Sequence, residues 1–458
     1  MSKYKKYPEY KDSGVEWLGE IPSHWDLKSS KFLFNIVNGS TPKSGIEDYW
    51  EGDITWVTPS DLSKIQHFEI SESSRNITQK GLDSCGTSLV PKRSLILSCR
   101  APIGSLAITT KEVCTNQGCK SLVVKKEINT KFMYYFLSVS TEQLNVLGRG
   151  TTFLELSSDE LGNFKLPYPI SKEQFQIANF LDHETAKIDS LIAKQEKLIE
   201  LLKEKRQAVI SHAVTKGLNP DVAMKDSGVE WLGEVPEHWG ISKVGFHTLK
   251  IGSGKTPKGG AEIYQENGIL FIRSQNVYND GLRVSNSECV YISKAIHDEM
   301  SASKVLSGDI LLNITGGSIG RSCLVSNNFP EANVNQHVCI IRVDMHLQNF
   351  LSLVIQSDLI QAQIRSIQTG GNREGLNFEQ VSKFSFSLPP RTEQEEVVQY
   401  VKNKSIEFQK VEERARNAIQ LMQERRTALI SAAVTGKIDV RHWQAPKQQR
   451  ECATELIA

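Results

Sequence analysis

No stretch of this chain comes near the roughly 18 consecutive apolar residues that cross a bilayer, and its opening, MSKYKKYPEY, lacks the apolar core of a secretory signal. A cytoplasmic location is the expectation. An excess of either charge is missing too: 54 Lys and Arg against 53 Asp and Glu leave a net charge of +1. Proteins that coat nucleic acid without regard to sequence are usually strongly basic, so any such contact must come from local clusters or from partners. The eight cysteines (Cys85, Cys99, Cys114, Cys119, Cys289, Cys323, Cys339, Cys452) contain no C-x-x-C pair, and several lie in apolar runs such as LILSC and VCIIRV. They read as reduced core thiols rather than metal ligands or disulfide partners, and no metal site is expected.

What the chain does have is a duplication. Residues 11–25 read KDSGVEWLGEIPSHW and residues 225–239 read KDSGVEWLGEVPEHW, a shift of 214 in a chain of 458 residues. One repeat at half length means two copies of a folding unit rather than a solenoid. A composition of 39% hydrophobic and 23% charged residues is ordinary for a globular protein, so each copy can bury its own core.

The register continues downstream. Gly39-Ser40-Thr41-Pro42-Lys43 matches Gly254-Lys255-Thr256-Pro257-Lys258, Ile103-Gly104 matches Ile319-Gly320, Asn116-Gln117 matches Asn335-Gln336, and Leu166-Pro167 matches Leu388-Pro389. The shift drifts from 214 to 222 over this stretch, as small loop insertions would make it. From Glu173/Glu393 to Thr215/Thr435 it holds at 220. Apolar residues there recur at steps of three and four: Leu181, Ile188, Leu191, Leu198, Leu202 and Val209 in the first copy, and Val401, Phe408, Val411, Ala418, Met422 and Leu429 in the second. This is an a/d seam, and it predicts two long helices of roughly 60 Å packed antiparallel along their length.

The expected fold is α+β: two repeated globular α/β domains (1–172 and 218–392), separated by a pair of long antiparallel coiled-coil helices (173–217 and 393–440) with pseudo-twofold symmetry, and a polar tail (441–458). Strands are expected at 54–57, 94–99 and 120–124, and at 269–272, 309–314 and 338–343. Helical stretches follow at 131–146 and 347–367.

Residues 39–62, reading GSTPKSGIEDYWEGDITWVTPSDL, resemble the opening of a target recognition domain from the specificity subunit of a type I restriction-modification system. LILSCRAPIG, Asn116-Gln117-Gly118, Leu166-Pro167 with Glu173-Gln174, and the helix endings ISHAVTKG and ISAAVTGKIDV resemble the same family, in its order and over essentially the whole chain. The second copy departs at Gly317-Ser318 (against Ala101-Pro102) and at His337 (against Gly118). The resemblance implies a reader of double-stranded DNA, each domain taking one half of a bipartite, asymmetric site while the helix pair fixes the spacer. It implies two methyltransferase (modification) subunits and restriction/translocase subunits as partners. S-adenosylmethionine, ATP and Mg would belong to those partners, which methylate adenine and cleave, and the chain itself would bind no cofactor and catalyse nothing.

The residues agree with a chain lacking its own chemistry. Gly254-Lys255-Thr256 has Leu249 where a phosphate loop needs glycine, no Asn/Asp-Pro-Pro-aromatic methyltransferase loop occurs, and His183-Glu184 lacks the second histidine of a zinc helix. A fused enzyme would leave no room for two repeats, and a coiled-coil scaffold would not need two diversified domains. Candidate DNA-binding residues are those whose side chains pair with bases or phosphates and fall in equivalent loops. They are Thr58, Ser60, Arg100 and Arg149 in the first copy, and Arg273, Gln275, Asn276, Arg321, Asn372 and Arg373 in the second. Trp17, Trp25, Trp231 and Trp239 are candidates either to dock partners or to seal each domain on its helix.

Overall fold

Two uninterrupted helices organise the chain: α1 (Ser171–Lys216) and α2 (Arg391–Val434). Leu, Glu, Lys, Gln and Arg, which lose little freedom in a helix, together make up about half of each, and neither contains Gly or Pro. The structure, a computed structural model, describes residues 4–65, 67–100, 102–148, 154–257, 259–285, 288–368 and 375–445. Its contacts divide the chain into two units, residues 1–194 with 417–458, and residues 195–416, so each unit holds part of both helices.

Glycine ends each helix. Gly217 and Gly436 have φ of +76° and +73°, the left-handed conformation that closes a helix and that other residues adopt at a cost. Space adds to this at Gly436, where a Cβ would lie 2.3 Å from Pro22, while at Gly217 it would make a tight 3.2 Å contact with Trp239. α2 therefore stops at Val434, short of the expected 440. The chain turns back there, with the Asp439 N–H donating to the Lys5 carbonyl (2.8 Å) and Trp443 edge-on to Phe180. Of the expected polar tail, residues 446–458 lie outside the described residues.

In the first unit a hairpin (Tyr10–Asp12 with Glu20–Pro22) leads into strand Asp26–Ser29, which pairs with Lys165–Tyr168. A five-stranded sheet runs in the order Phe34–Asn38, Cys119–Val124, Leu95–Ser98, Leu106–Thr109, Glu69–Ile70. Leu95 and Leu97 point to a core shared with Phe132, Met133 and Phe136, while Ile96 points to Val57, Ala107 and Val113. A strand buried on both faces explains why LILS is apolar without alternation. A three-stranded sheet centred on Trp50–Val57 completes the domain.

The second unit repeats this plan. Its hairpin is Met224–Asp226 with Glu234–Pro236, Gly240–Lys243 pairs with Ser385–Leu388, and a four-stranded sheet runs Thr248–Ser253, Val338–Val343, Ile310–Asn313, Ser322–Leu324. The helical stretches expected as single pieces are each broken. Thr130–Ser138 and Thr141–Val146 part at Ser140, and Gln348–Gln356 and Asp358–Gln368 part at Ser357, whose ψ of 157° is extended. Serine favours such breaks because its hydroxyl bonds local backbone: the Ser140 and Ser357 hydroxyls donate to the Phe136 and Val354 carbonyls.

Within each unit the helix segments are antiparallel. In the first, Gln176 donates to the Trp443 carbonyl and Asp189 holds Arg426 (Nε to Oδ1, 2.8 Å), so α2 descends as α1 advances. In the second, Arg206 donates to the Ser405 carbonyl, and Ile210 and Val214 share a core with Val401 and Val397. The covered stripe on α1 passes through Leu181, Thr185, Ile188, Ile192, Gln195, Ile199, Leu202, Arg206 and Val209. On α2 it passes through Val401, Ser405, Phe408, Glu412, Ala415, Ala418, Met422, Arg426 and Leu429. Three residues assigned to the seam from their spacing, Leu191, Leu198 and Val411, lie one position off it and are 49%, 37% and 37% exposed.

Candidate nucleic-acid interface

Four loops of the first unit meet at one tight turn. The Asn116 side-chain oxygen accepts from the Gly118 N–H (3.0 Å), a local turn that Asn favours, and leaves Gln117 exposed at its tip. The turn is anchored on two strand ends: Asn116 N–H donates to Val57 (3.0 Å), and the Gly118 carbonyl accepts from Cys99 (2.8 Å). Loop 39–43 lies alongside, with the Thr41 hydroxyl donating to the Gln117 side-chain oxygen. A Cβ on Gly39 would sit 2.0 Å from the Asn116 carbonyl oxygen, so this approach admits only glycine. The indoles of Trp50 and Trp56 hold the loop by donating to the carbonyls of Lys43 (3.3 Å) and Ser40 (3.0 Å).

The third loop carries two candidates. Thr58 caps the short helix Pro59–Ser63, and Asp61 accepts from the Thr58 backbone N–H (2.9 Å) and hydroxyl (2.6 Å). Ser74 gives the other Asp61 oxygen a backbone N–H (2.9 Å) and a hydroxyl (2.6 Å). Burial raises the cost of the Asp61 charge, but the donors from Ser74 and Thr58 outweigh it and hold the carboxyl below its ordinary range. Thr58 is thus occupied internally, while Ser60 is exposed. The fourth loop presents Arg100, exposed and paired with Glu155 (3.0 Å).

The second unit builds the same cluster from different side chains. Asn335 makes the turn by accepting from the His337 N–H (3.0 Å), Gln336 is exposed at the tip, and the Thr256 hydroxyl donates to its side-chain oxygen. Asn335 N–H donates to Ile272 (3.0 Å), and the His337 carbonyl accepts from Ile314 (3.0 Å). Where the first unit has Asp61, Asn276 accepts from the Arg273 N–H (2.9 Å) and donates to the carbonyls of Arg283 (2.9 Å) and Glu288 (3.2 Å). Being 2% exposed, Asn276 faces inward instead of presenting its amide to a ligand. Gln275 is exposed beside it, and Arg273 donates from Nη2 to the Glu288 carbonyl (3.3 Å). Arg321 is exposed, its guanidinium 4.9 Å from the Tyr278 ring. Arg149, Asn372 and Arg373 fall outside the described residues.

The two α/β domains thus carry equivalent loop clusters on diversified side chains. The sequence model of the family described as the type I restriction modification DNA specificity domain matches residues 22–201 and again 238–420. The chain belongs to this specificity family. The MjaIX specificity subunit of Methanocaldococcus jannaschii is 32% identical over 63% of this chain and 66% of its own length. The EcoBI specificity subunit of Escherichia coli is 28% identical over 71% of this chain and 69% of its own, and the MjaVIII subunit of M. jannaschii is 22% identical over 92% and 95%. A solved chain from work on complex assembly and conformational transition of the type I R-M system superposes with a TM-score of 0.65. It covers 90% of this chain and 98% of that one at 13% identity, which shows a shared fold.

The chain's two tryptophan-bearing segments each carry one buried and one partly exposed ring. Trp25 and Trp239 are buried, and their indoles donate to Glu173 (3.1 Å) and Glu393 (2.9 Å) on the first turns of α1 and α2, sealing each domain to its helix. His24 and His238 reach the same carboxylates at 2.9 and 2.7 Å. Trp17 and Trp231 remain about two-fifths exposed, and Trp17 stacks on Phe164. The seven described cysteines are free thiols, and burial pushes Cys114, Cys323 and Cys339 up to about 12, so they stay protonated and unreactive. Among the described residues no helix is long and apolar enough to cross a membrane, and no group of three His, Cys, Asp or Glu is placed to hold a metal.

Sequence reasoning passed over Gln117 and Gln336. Asn116-Gln117 and Asn335-Gln336 stand out as a shared motif, but only the fold brings each glutamine to the centre of the loops and against a threonine far away in sequence.

Proposed function

We propose that this chain is the DNA-reading subunit of a type I restriction-modification complex. Each domain reads one half of a bipartite, asymmetric site through the exposed members of its loop cluster. Those are Ser60 and Arg100 in the first domain, and Gln275 and Arg321 in the second, with the half-buried Arg273 and with Arg149, Asn372 and Arg373 as further contacts. The helix pair sets the spacer between the halves and docks the methyltransferase subunits, so that adenine methylation and restriction by partner subunits are directed to the site. S-adenosylmethionine, ATP and Mg are bound by those partners, the chain itself is not an enzyme, and the complex works in the cytoplasm.

The observation that carries this reading is the loop cluster built twice. A turn with the same backbone bonds and the same Thr-to-Gln contact is surrounded by Thr58, Arg100 and Gly118 in one unit, and by Arg273, Thr315 and His337 in the other. A shared scaffold with changed side chains is what two readers of different half-sites require, because base-edge contacts carry the sequence information. The test is an exchange of residues 26–170 for the corresponding domain of a relative, followed by mapping of methylated adenines in host DNA. One half of the recognised site should change while the other half and the spacer stay as they were. Changes in both halves, or in neither, would overturn the assignment.

A further inference from the structure

Gln117 and Gln336 do not follow the pattern of diversification around them. Both are exposed, both sit at the tip of the central turn, and each side-chain oxygen accepts from the hydroxyl of the threonine in the Gly-x-Thr-Pro loop. Their neighbours differ at most positions. In the second unit Gln336 Nε2 lies 3.0 Å from His337 Nε2, and His337 Nδ1 lies 2.6 Å from the Thr315 hydroxyl. An amide nitrogen only donates, so His337 Nε2 is the acceptor and Nδ1 carries the proton that reaches Thr315. In the first unit glycine replaces the histidine and Arg100 replaces the threonine, so this relay does not exist. The glutamine is retained on two different supports.

An amide held this way keeps one N–H and one oxygen lone pair to offer outward, since one of its two acceptor sites is taken by threonine and at most one of its two N–H groups by histidine. That donor-acceptor pair matches the N7 and N6 edge of adenine in the major groove. Building on the DNA-reading function proposed above, we infer that Gln117 and Gln336 are specificity-determining residues that each read an adenine, the element common to the two half-sites. The surrounding positions, which differ between units, read what the half-sites do not share.

The test is selection of a randomised duplex DNA library by the full chain, copurified with its host's methyltransferase subunits, for the unaltered protein and for Gln117→Ala, Gln117→Glu and Gln336→Glu. The unaltered protein should select a bipartite site with an adenine in each half, and failure to select any site would sink the DNA-reading function itself. Gln117→Ala should relax one adenine in one half-site by roughly 5- to 150-fold, the range of a good bidentate contact. Glutamate still accepts from threonine, which preserves the turn, but accepts instead of donates at the base edge. Gln117→Glu and Gln336→Glu should therefore each move the preference at that one position from adenine toward cytosine. Uniform weakening across all sequences, or an unchanged site in the glutamate variants, would overturn the inference while leaving the DNA-reading function standing.

Discussion

Asp61 and Asn276 occupy the same place in the two units, the third residue of a short helical turn whose preceding backbone N–H they accept. Only one of them titrates. Four donors hold the Asp61 carboxyl below its ordinary range, so its contribution to stability is present above the unfolded carboxylate pKa of about 4 and is lost as pH falls through the lower folded value. Asp61→Asn should cost about 1–2 kcal/mol at neutral pH, because an amide accepts through one oxygen where the carboxylate accepts through two. That cost should shrink below about pH 4, which urea denaturation at pH 7 and pH 3 would show. A difference that stays constant over this range would refute the role given to the charge. A Thr three residues ahead of an acidic residue is a helix-start pattern, and the fold uses it in Thr58-Pro59-Ser60-Asp61, where Thr58 reads from the sequence as a DNA contact. In the second copy Arg273 hides that pattern, which is why Asn276 reads as a base contact in the sequence and turns inward in the fold.

At the scale of elements, each long helix starts where its domain ends, and the joint is a carboxylate. Glu173 is buried and accepts from the Tyr7 hydroxyl (2.6 Å) and the Trp25 indole (3.1 Å), with His24 Nε2 at 2.9 Å. Burial and the Glu173 contact push the Tyr7 hydroxyl far above its ordinary range, so it remains a donor. Glu393 has the tryptophan and histidine, and its side chain is 33% exposed. Unpairing buried donors costs more than unpairing solvated ones. Glu173→Ala should therefore destabilise the first unit by about 3 kcal/mol and Glu393→Ala the second by about 1 kcal/mol, read by hydrogen exchange in each unit. Equal losses would contradict the difference in burial. The helices themselves were readable from composition and period. Their register was not, because Leu191-Ile192, Leu198-Ile199 and Leu201-Leu202 are adjacent apolar pairs that satisfy two stripes at once. The covered stripe also includes Gln195, Arg206, Glu412 and Arg426, which break any purely apolar pattern.

For the molecule as a whole, the two units share the order of hairpin, paired edge strands, central sheet and long helix, and differ in how a helix end meets the hairpin. In the second unit the chain passes without interruption from α1 through Gly217, packed on Trp239, into the hairpin. In the first unit α2 passes through Gly436, packed on Pro22 and Trp25, and the segment after it is joined to the segment before the hairpin by the Asp439 N–H to the Lys5 carbonyl. The helix-to-hairpin contact that is noncovalent in the first unit is a covalent passage in the second. Residues 219–221 are exposed and follow the helix-ending glycine, so cutting there removes little buried structure. Joining residue 445 to residue 4 through a flexible linker costs only loop-closure entropy, which rises slowly with length. A chain rearranged to begin at Asp221 and end at Asn219 or Pro220 should therefore fold, melt within a few degrees of the original and select the same DNA site. A rearrangement opened inside strand Val338–Val343, buried at the centre of its sheet, should not fold. If the first rearranged chain also failed to fold, the equivalence of the two units would not extend to how they hold together, and the covalent passage at residues 217–223 would be doing something in the second unit that the noncovalent joint does not do in the first.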